Sequence, residues 1–304
     1  MSQTLSRNEI GGPTPAASPV EGLDRNFGDA VEAGLHADTA VDVSIVLPFY
    51  NPGNRLRPTV EHVIGALTAS GMTFEVITVS DGSTDGSPST LEGLSELIVR
   101  QVSYPTNAGK GHALRTGFQI ARGTYVGFID ADGDISPDFL TDFLDTLRDG
   151  AADIVIGTKR HRASAVHNSI SRRIYSWGYQ SLIRLLFSLD VTDTQVGIKL
   201  MDRRVLDDLL PLLRQDGFAL DLELLVLAQS HGYNRIEEAP IRIEERSQST
   251  ISLRAIRRLL ADTITIFWRS SVRHDLDSTP AREHMTRTTP NSGSVELRPS
   301  PAAS

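Results

Sequence analysis

The chain has 304 residues, 39% of them hydrophobic and 22% charged, with a formal net charge of −8 and no cysteine. This composition suits a soluble globular protein of one or two domains with polar flanks; the acidic balance argues against a nucleic-acid binder, and the lack of cysteine excludes a disulfide framework or a thiolate metal site. No apolar run reaches the roughly 18–20 residues that span a bilayer, and the N-terminus lacks the basic and apolar regions of a signal peptide, so the expected place is the cytoplasm or a membrane surface facing it.

Residues 1–40 are rich in Gly, Pro, Ala, Ser and acids without a sustained apolar period, and are expected to be a disordered leader. The tail over 271–304 reads the same way. Between them, 41–246 form one patterned domain, followed by a basic amphipathic stretch over 247–270. Val43–Leu47 reads as a buried strand closed by Pro48. Val60, Val63, Ile64 and Leu67 share a helical face that Gly71 ends. Phe74–Val79 is the second strand, and a turn-rich stretch over 81–88 follows it. Ile98–Val102 is a third strand, Lys110–Ala121 a helix stopped by Gly123, and Tyr125–Ile129 a fourth strand. Pro137–Arg148 reads as a helix with Pro137 in its first turn and Ser136 as its cap. Ile154–Ile156 is a further strand.

Beyond it, Ile170–Phe187 is apolar at helical spacing and Gly197–Met201 reads as a strand. Val205–Leu213 and Leu220–Ser230 read as helices, and Ile236, Ala239 and Ile241 lie in a last strand. This β-α-β alternation predicts an α/β fold: a mostly parallel, twisted, Rossmann-like sheet with helices on both faces. Ligands of such sheets bind at the carboxyl ends of the strands. Pro48-Phe49-Tyr50-Asn51, Ser80-Asp81-Gly82-Ser83 and Asp130-Ala131-Asp132 all fall there, and their convergence says more than any one of them.

Asp130-Ala131-Asp132-Gly133-Asp134 emerges where the fourth strand ends. Closely spaced carboxylates repel one another unless a positive group sits between them. A hard divalent cation carrying a phosphorylated ligand answers that repulsion; a solvated acidic turn is the plainer alternative.

The ordered motifs resemble glycosyltransferase family 2, the nucleotide-sugar-binding GT-A fold, and within it the dolichyl-phosphate β-glucosyltransferases and related polyprenyl-phosphate glycosyltransferases. The matching pieces are Val46–Asn51, Val79–Asp85, Asn107-Ala108-Gly109-Lys110-Gly111, Asp130–Gly133, Asp193–Leu200 and Asp221-Leu222-Glu223, which together span about residues 43–245. Two positions depart from the pattern. Pro52 follows Asn51 where the family often has an acid, and Ser80 stands where it often has the first of two acids. Both lie near the expected nucleoside pocket and leave the base open. The N-terminal membrane anchor of the eukaryotic relatives is not expected here.

The resemblance implies an inverting transfer of a hexose, glucose foremost, from a uridine-diphosphate sugar to a polyprenyl phosphate. Asp132, with Asp130 and Asp134, would hold Mg²⁺ or Mn²⁺, although Asp134 reads equally as a turn or cap acid. Asp81 would contact the nucleoside, or else close an Asx-turn. Pro48, Tyr50 and Asn51 would wall the base pocket, Tyr50 being equally readable as a packing aromatic. Gly109 and Lys110 would approach the diphosphate beside Ala131, and Gln195 and Lys199 the donor sugar or acceptor; Lys199 reads alternatively as a surface charge on an edge strand.

In a basic cluster after the fifth strand, Lys159 and Arg172 or Arg173 are the candidates for the acceptor phosphate. A lipid phosphate is already ionised, so Asp221 and Glu223 would orient the sugar or acceptor. For a hydroxyl acceptor one of them becomes the base, and Asp221 also reads as a helix cap. A hydroxyl-transferring enzyme and a non-catalytic sugar-nucleotide binder are the competing functions. Ile251–Arg269 is basic and amphipathic: either it lies in a bilayer interface or it packs on the domain.

Overall fold

The computed structural model describes residues 40–158, 170–189, 191–242 and 253–271, with the side chains of the helix over 170–187 described from 178 and those of the helix over 253–271 described over 256–270. In chain order the strands are β1 (Val43–Phe49), β2 (Phe74–Asp81), β3 (Val99–Tyr104), β4 (Tyr125–Ile129), β5 (Ile154–Thr158), β6 (Ile198–Asp202) and β7 (Ile236–Pro240). The helices are α1 (Leu56–Ala69), α2 (Lys110–Ile120), α3 (Phe139–Arg148), α4 (Ile170–Phe187), α5 (Arg203–Leu209), α6 (Leu220–Ser230) and α7 (Leu253–Ser271). Apart from residues 40 and 271, the expected leader and tail lie outside the described residues.

The strands form one sheet in the order β3-β2-β1-β4-β6-β5-β7. β1, β2, β3 and β4 run parallel to one another, and β5 runs parallel to β7, whereas β6 is antiparallel to both β4 and β5. β1 is buried along its whole length, as a strand covered on both faces must be, and its β-branched run suits that place. The register sets Phe49 level with Ser80, so β1 and β2 release their loops at one edge. β6 reverses, so its first residue, Ile198, faces the last of β4, Ile129.

Helices cover both faces. One core joins α1 and α3 to the sheet through Leu56, Val60, Ile64, Leu140 and Phe143. The other joins α2, α5, α6 and α7 through Leu114, Phe118, Leu206, Leu225 and Ile266. Helix α6 is buried from Leu220 to Ala228, as expected of a helix apolar nearly all round.

Two helix boundaries differ from expectation. α3 begins at Phe139: the Ser136 hydroxyl donates to the Asp138 carboxylate (2.8 Å) and accepts from Asp138 N (3.4 Å), closing a turn just before the helix. Val205–Leu213 is not one helix: α5 ends at Leu209 and a 3₁₀ turn follows over Leu210–Leu212, where Pro211 has no N–H to continue the ladder.

At the edge opposite the strand carboxyl ends, Glu75 has a fully buried side chain. It accepts from the Ser44 hydroxyl (2.7 Å), Arg122 N (2.8 Å) and the guanidinium groups of Arg100 and Arg122 (both 3.1 Å). Burial pushes its pKa up, but these donors together outweigh it and hold the carboxyl below its ordinary range. A depressed folded value means stability that is full above the unfolded pKa of about 4.3 and fades as pH falls through the folded one. Glu75→Gln is therefore expected to lose about 2 kcal/mol at neutral pH, through donors left badly paired, and to show a shallower acid limb. Urea midpoints between pH 3 and pH 7 check this; an unchanged acid limb in the variant would remove Glu75 from the account.

Candidate active site

Three loops meet at the carboxyl edge. After β1 the chain turns through Asn51, whose left-handed φ of 51° is tolerable for asparagine. Its Oδ1 accepts from Thr84 N (2.8 Å) and its own N–H donates to the Ser83 hydroxyl (3.1 Å). The loops after β1 and β2 are thus stitched together. Pro48 is buried within β1, while Tyr50 is 53% exposed and stands free of the core.

Asp81, 4% exposed at the end of β2, serves the protein's own donors. Its Oδ1 accepts from the Tyr104 hydroxyl (2.9 Å) and Ala108 N (2.7 Å), and its Oδ2 from Gly109 N (2.9 Å). It shapes the approach to α2 and closes no Asx-turn with its own neighbours. Burial, followed by this hydrogen bond and the Asp81 charge, pushes the Tyr104 phenol up. Gly109 takes a φ of 109°, and a Cβ on Gly109 or Gly111 would strike the backbone of residues 215–217. These glycines therefore allow one loop to lie against another, a contact that the sequence reading missed.

The centre of the site is a buried array of charges. Lys110 Nζ meets Asp130 Oδ1 at 2.7 Å and Asp221 Oδ2 at 3.2 Å. Lys199, completely buried on β6, donates to Asp221 Oδ1 (2.6 Å) and Val196 O (2.8 Å). Both ammonium groups stand over the Phe128 ring, 5.0 and 5.2 Å from its centroid. Asp221 lies in the first turn of α6, where the helix dipole also favours negative charge. Burial pushes the Asp221 carboxyl up, but Lys110 and Lys199 outweigh it and hold it below the usual range. Burial likewise opposes the Lys110 ammonium, and Asp130 and Asp221 more than restore it. The Lys199 amine is drawn down, by burial first. Burial first, then the neighbouring Asp132 and Asp221 charges, raises Asp130.

Asp130 is wedged against Gly197, where any Cβ would overlap its carboxylate, and its N–H donates to Gly197 O (2.8 Å). Asp132 accepts from Asp134 N (3.0 Å) and is partly exposed, beyond the buried Ala131. Asp134 caps no helix, since α3 begins four residues after Ile135. Among the described residues no three acids or imidazoles converge into a ready cation cage. Magnesium sites built from one or two carboxylates plus phosphate oxygens need no such cage, and the oxygens of Asp132 fit that donor set. Gln195 sits two residues before Gly197, and its Nε2 is a buried donor without an acceptor among the described residues.

Two alternative readings fall away and one expectation changes. Lys199 is no edge charge; β6 is an inner strand and the lysine is sealed under the site. Asp221 caps nothing, because both its oxygens are held by lysines. Glu223 does not reach the site. Its Oε2 accepts from Arg214 N and Gln215 N (both 2.8 Å) and its Oε1 pairs with Arg269 of α7. Lys159 lies outside the described residues; Arg172 and Arg173 fall on α4, but their side chains are not described. Phe128, Tyr104 and the 215–217 turn are the parts of the site that sequence reasoning passed over.

The profile of the Glycosyl transferase family 2 matches residues 44–210, more than half of the chain. The chain belongs to that family. Among its curated relatives are the glycosyltransferase AglD of Haloferax volcanii and the dolichyl-phosphate beta-glucosyltransferase of Saccharomyces cerevisiae. AglD is 29% identical over 77% of this chain, and the alignment spans only 38% of AglD. The yeast enzyme is 29% identical over 71% of both chains. The Drosophila melanogaster dolichyl-phosphate beta-glucosyltransferase is 32% identical over 64% of this chain and 65% of its own. Among solved structures, glucosyl-3-phosphoglycerate synthase of Mycobacterium tuberculosis, in complex with Mn²⁺ and UDP-glucose, superposes with a TM-score of 0.57. It is 20% identical over 84% of each chain. The mannosyl-3-phosphoglycerate synthase of Rubrobacter xylanophilus gives 0.59 at 17% identity, covering 86% of this chain and 80% of that one. The sheet and helix layers are accordingly those of a GT-A glycosyltransferase.

Proposed function

We propose that this family 2 transferase moves a hexose, glucose foremost, from a uridine-diphosphate sugar to a polyprenyl phosphate, with inversion and with a divalent metal. The observation that carries the acceptor class is the fate of the carboxylates. Asp221 is clamped between two ammonium groups, Glu223 is tied to Arg269, Asp81 holds the α2 approach and Asp130 is paired with Lys110. None of these is placed to take a proton from a hydroxyl acceptor. A phosphate monoester, with a second pKa near 6, needs no base at neutral pH. The dolichyl-phosphate glucosyltransferases among the relatives support the same reading.

In this reading an acceptor phosphate oxygen attacks the anomeric carbon, the bond from that carbon to the diphosphate breaks, and the electron pair leaves with the nucleoside diphosphate. Mg²⁺ or Mn²⁺, when bound, neutralises the departing diphosphate. Asp132, with Asp130 and Asp134, would hold the ion. Gly109 and Lys110 approach the diphosphate next to Ala131. Pro48, Tyr50, Asn51 and Asp81 form the nucleoside side, and the free Gln195 amide meets the sugar. Lys199 acts from beneath by keeping Asp221, and through it Lys110, in place. Lys159 with Arg172 or Arg173 receives the lipid phosphate, on the cytoplasmic face of a membrane.

The test presents a panel of labelled nucleotide sugars to the chain with either a short polyprenyl phosphate or sugar acceptors, with Mg²⁺ or Mn²⁺ or chelator. A glucosyl phospholipid is expected from UDP-glucose, with a rate flat from pH 7 to pH 9 because no acceptor proton is removed. Transfer to sugars alone, or a rate that climbs through that range, would overturn the acceptor class.

A further inference from the structure

Helix α7 has two unlike faces. On one, Thr263 and Ile266 are buried, the Tyr179 hydroxyl meets Thr263 Oγ1 at 3.0 Å, and Phe187 stands edge-on to Phe267 with centroids 6.0 Å apart. Arg269 pairs with Glu223 and donates to Leu212 O (3.1 Å). The helix is therefore docked on the domain. On the other face Leu260, Ile264 and Trp268 follow at four-residue steps, 37%, 53% and 57% exposed. At 100° per residue Arg257, also exposed, falls within the same stripe, whereas Arg258 turns towards the Gly217 turn and Asp262. Phe218, 59% exposed, follows Gly217, whose Cβ position lies near Asp262 and Arg258 of α7; Leu185 of the adjoining α4 is 81% exposed.

Single exposed apolar side chains need no explanation, but here five of the seven large ones left open among the described residues sit on α7 or on segments beside it. We infer that this face of α7 lies in the interface of an anionic bilayer, with Leu260, Ile264 and Trp268 entering the acyl boundary and Arg257 meeting lipid phosphates. The inference rests on the lipid-acceptor reading and deepens it. Arginine inside an apolar stripe, on a chain of net charge −8, fits an anionic surface better than a second copy of the same acidic chain. The face is joined to the site as well. Helix α6 carries Asp221 to Lys110 and Glu223 to α7, and the turn over 215–217 touches both Gly109 and the α7 side.

The full chain is to be sedimented with phosphatidylglycerol-containing vesicles and with pure phosphatidylcholine vesicles. Binding to the anionic vesicles, weakened by salt, is expected, with a blue shift of tryptophan emission that Trp268→Phe removes. Ile264→Glu is expected to lower the binding about tenfold, while its transfer to a short, water-soluble polyprenyl phosphate stays at the level of the unaltered chain. No sedimentation with either vesicle, equal binding by Ile264→Glu, or a dimer that Ile264→Glu converts to monomer would overturn the inference. Vesicle binding by a chain that glycosylates only sugar hydroxyls would overturn the acceptor reading and leave this surface standing.

Discussion

Asp221→Ala is expected to lower folding stability by about 3–5 kcal/mol and to abolish transfer. The substitution leaves Lys199 without its carboxylate in a place with no solvent, and Lys110 with Asp130 alone. Two buried ammonium groups over one aromatic ring would then repel each other without a carboxylate between them. For a domain of this size the loss corresponds to a melting temperature lower by roughly 10 °C. Thermal and urea denaturation measure it. Buried ion pairs are often replaceable by apolar side chains of similar volume, so Asp221→Leu combined with Lys199→Met should regain much of the lost stability while remaining inactive. An Asp221→Ala chain as stable as the parent would mean that the lysines find other partners. An active one would show that Lys110 needs no positioning.

Asp132→Ala is expected to reduce transfer by about 10²–10³-fold or more and to leave stability within about 0.5 kcal/mol. Asp132 is partly exposed and its one internal bond is to Asp134 N, so the fold asks little of it. Calorimetry with the donor, with and without Mg²⁺ or Mn²⁺, separates the roles: the variant should lose the metal-dependent part of donor binding. Metal-dependent activity equal to that of the parent would reject Asp132 as the ligand.

The layers of the fold were legible because strands covered on both faces read as uninterrupted apolar runs, as Val43–Leu47 does, and because the intervening helices keep their period. The direction of β6 was not legible. Gly197–Met201 reads as a strand in either orientation, and only its neighbours decide which. The same limit hid Lys199. A lone lysine in an apolar run carries no sign of a partner, and Asp221 comes 22 residues later, while Lys110 reaches Asp221 across 111 residues. The misplacement of Glu223 was avoidable. Residues two apart on a helix point about 200° from each other, so Asp221 and Glu223 cannot both face one site. The start of α3 lies two residues beyond Pro137 for a local reason, as Ser136 and Asp138 close a turn of their own ahead of it. The loop-edge motifs were legible as a group because every parallel strand releases its loop at one edge.

The reversal of β6 also divides the chain into two kinds of connection. β5 ends at the active edge and β6 begins there, so residues 159–197 leave and return on the same side of the sheet. Topologically that segment is a cassette: it can be lengthened, shortened or exchanged without altering strand order or crossing the sheet. The connections between parallel strands have no such freedom, because each must travel back to the opposite edge. On the proposed acceptor roles of Lys159, Arg172 and Arg173, a lineage that changes what its members glycosylate is expected to rewrite this segment while keeping its end, where Gly197 fits Asp130 and Val196 O holds Lys199. A graft that keeps 195–197 is the economical way to redirect the acceptor.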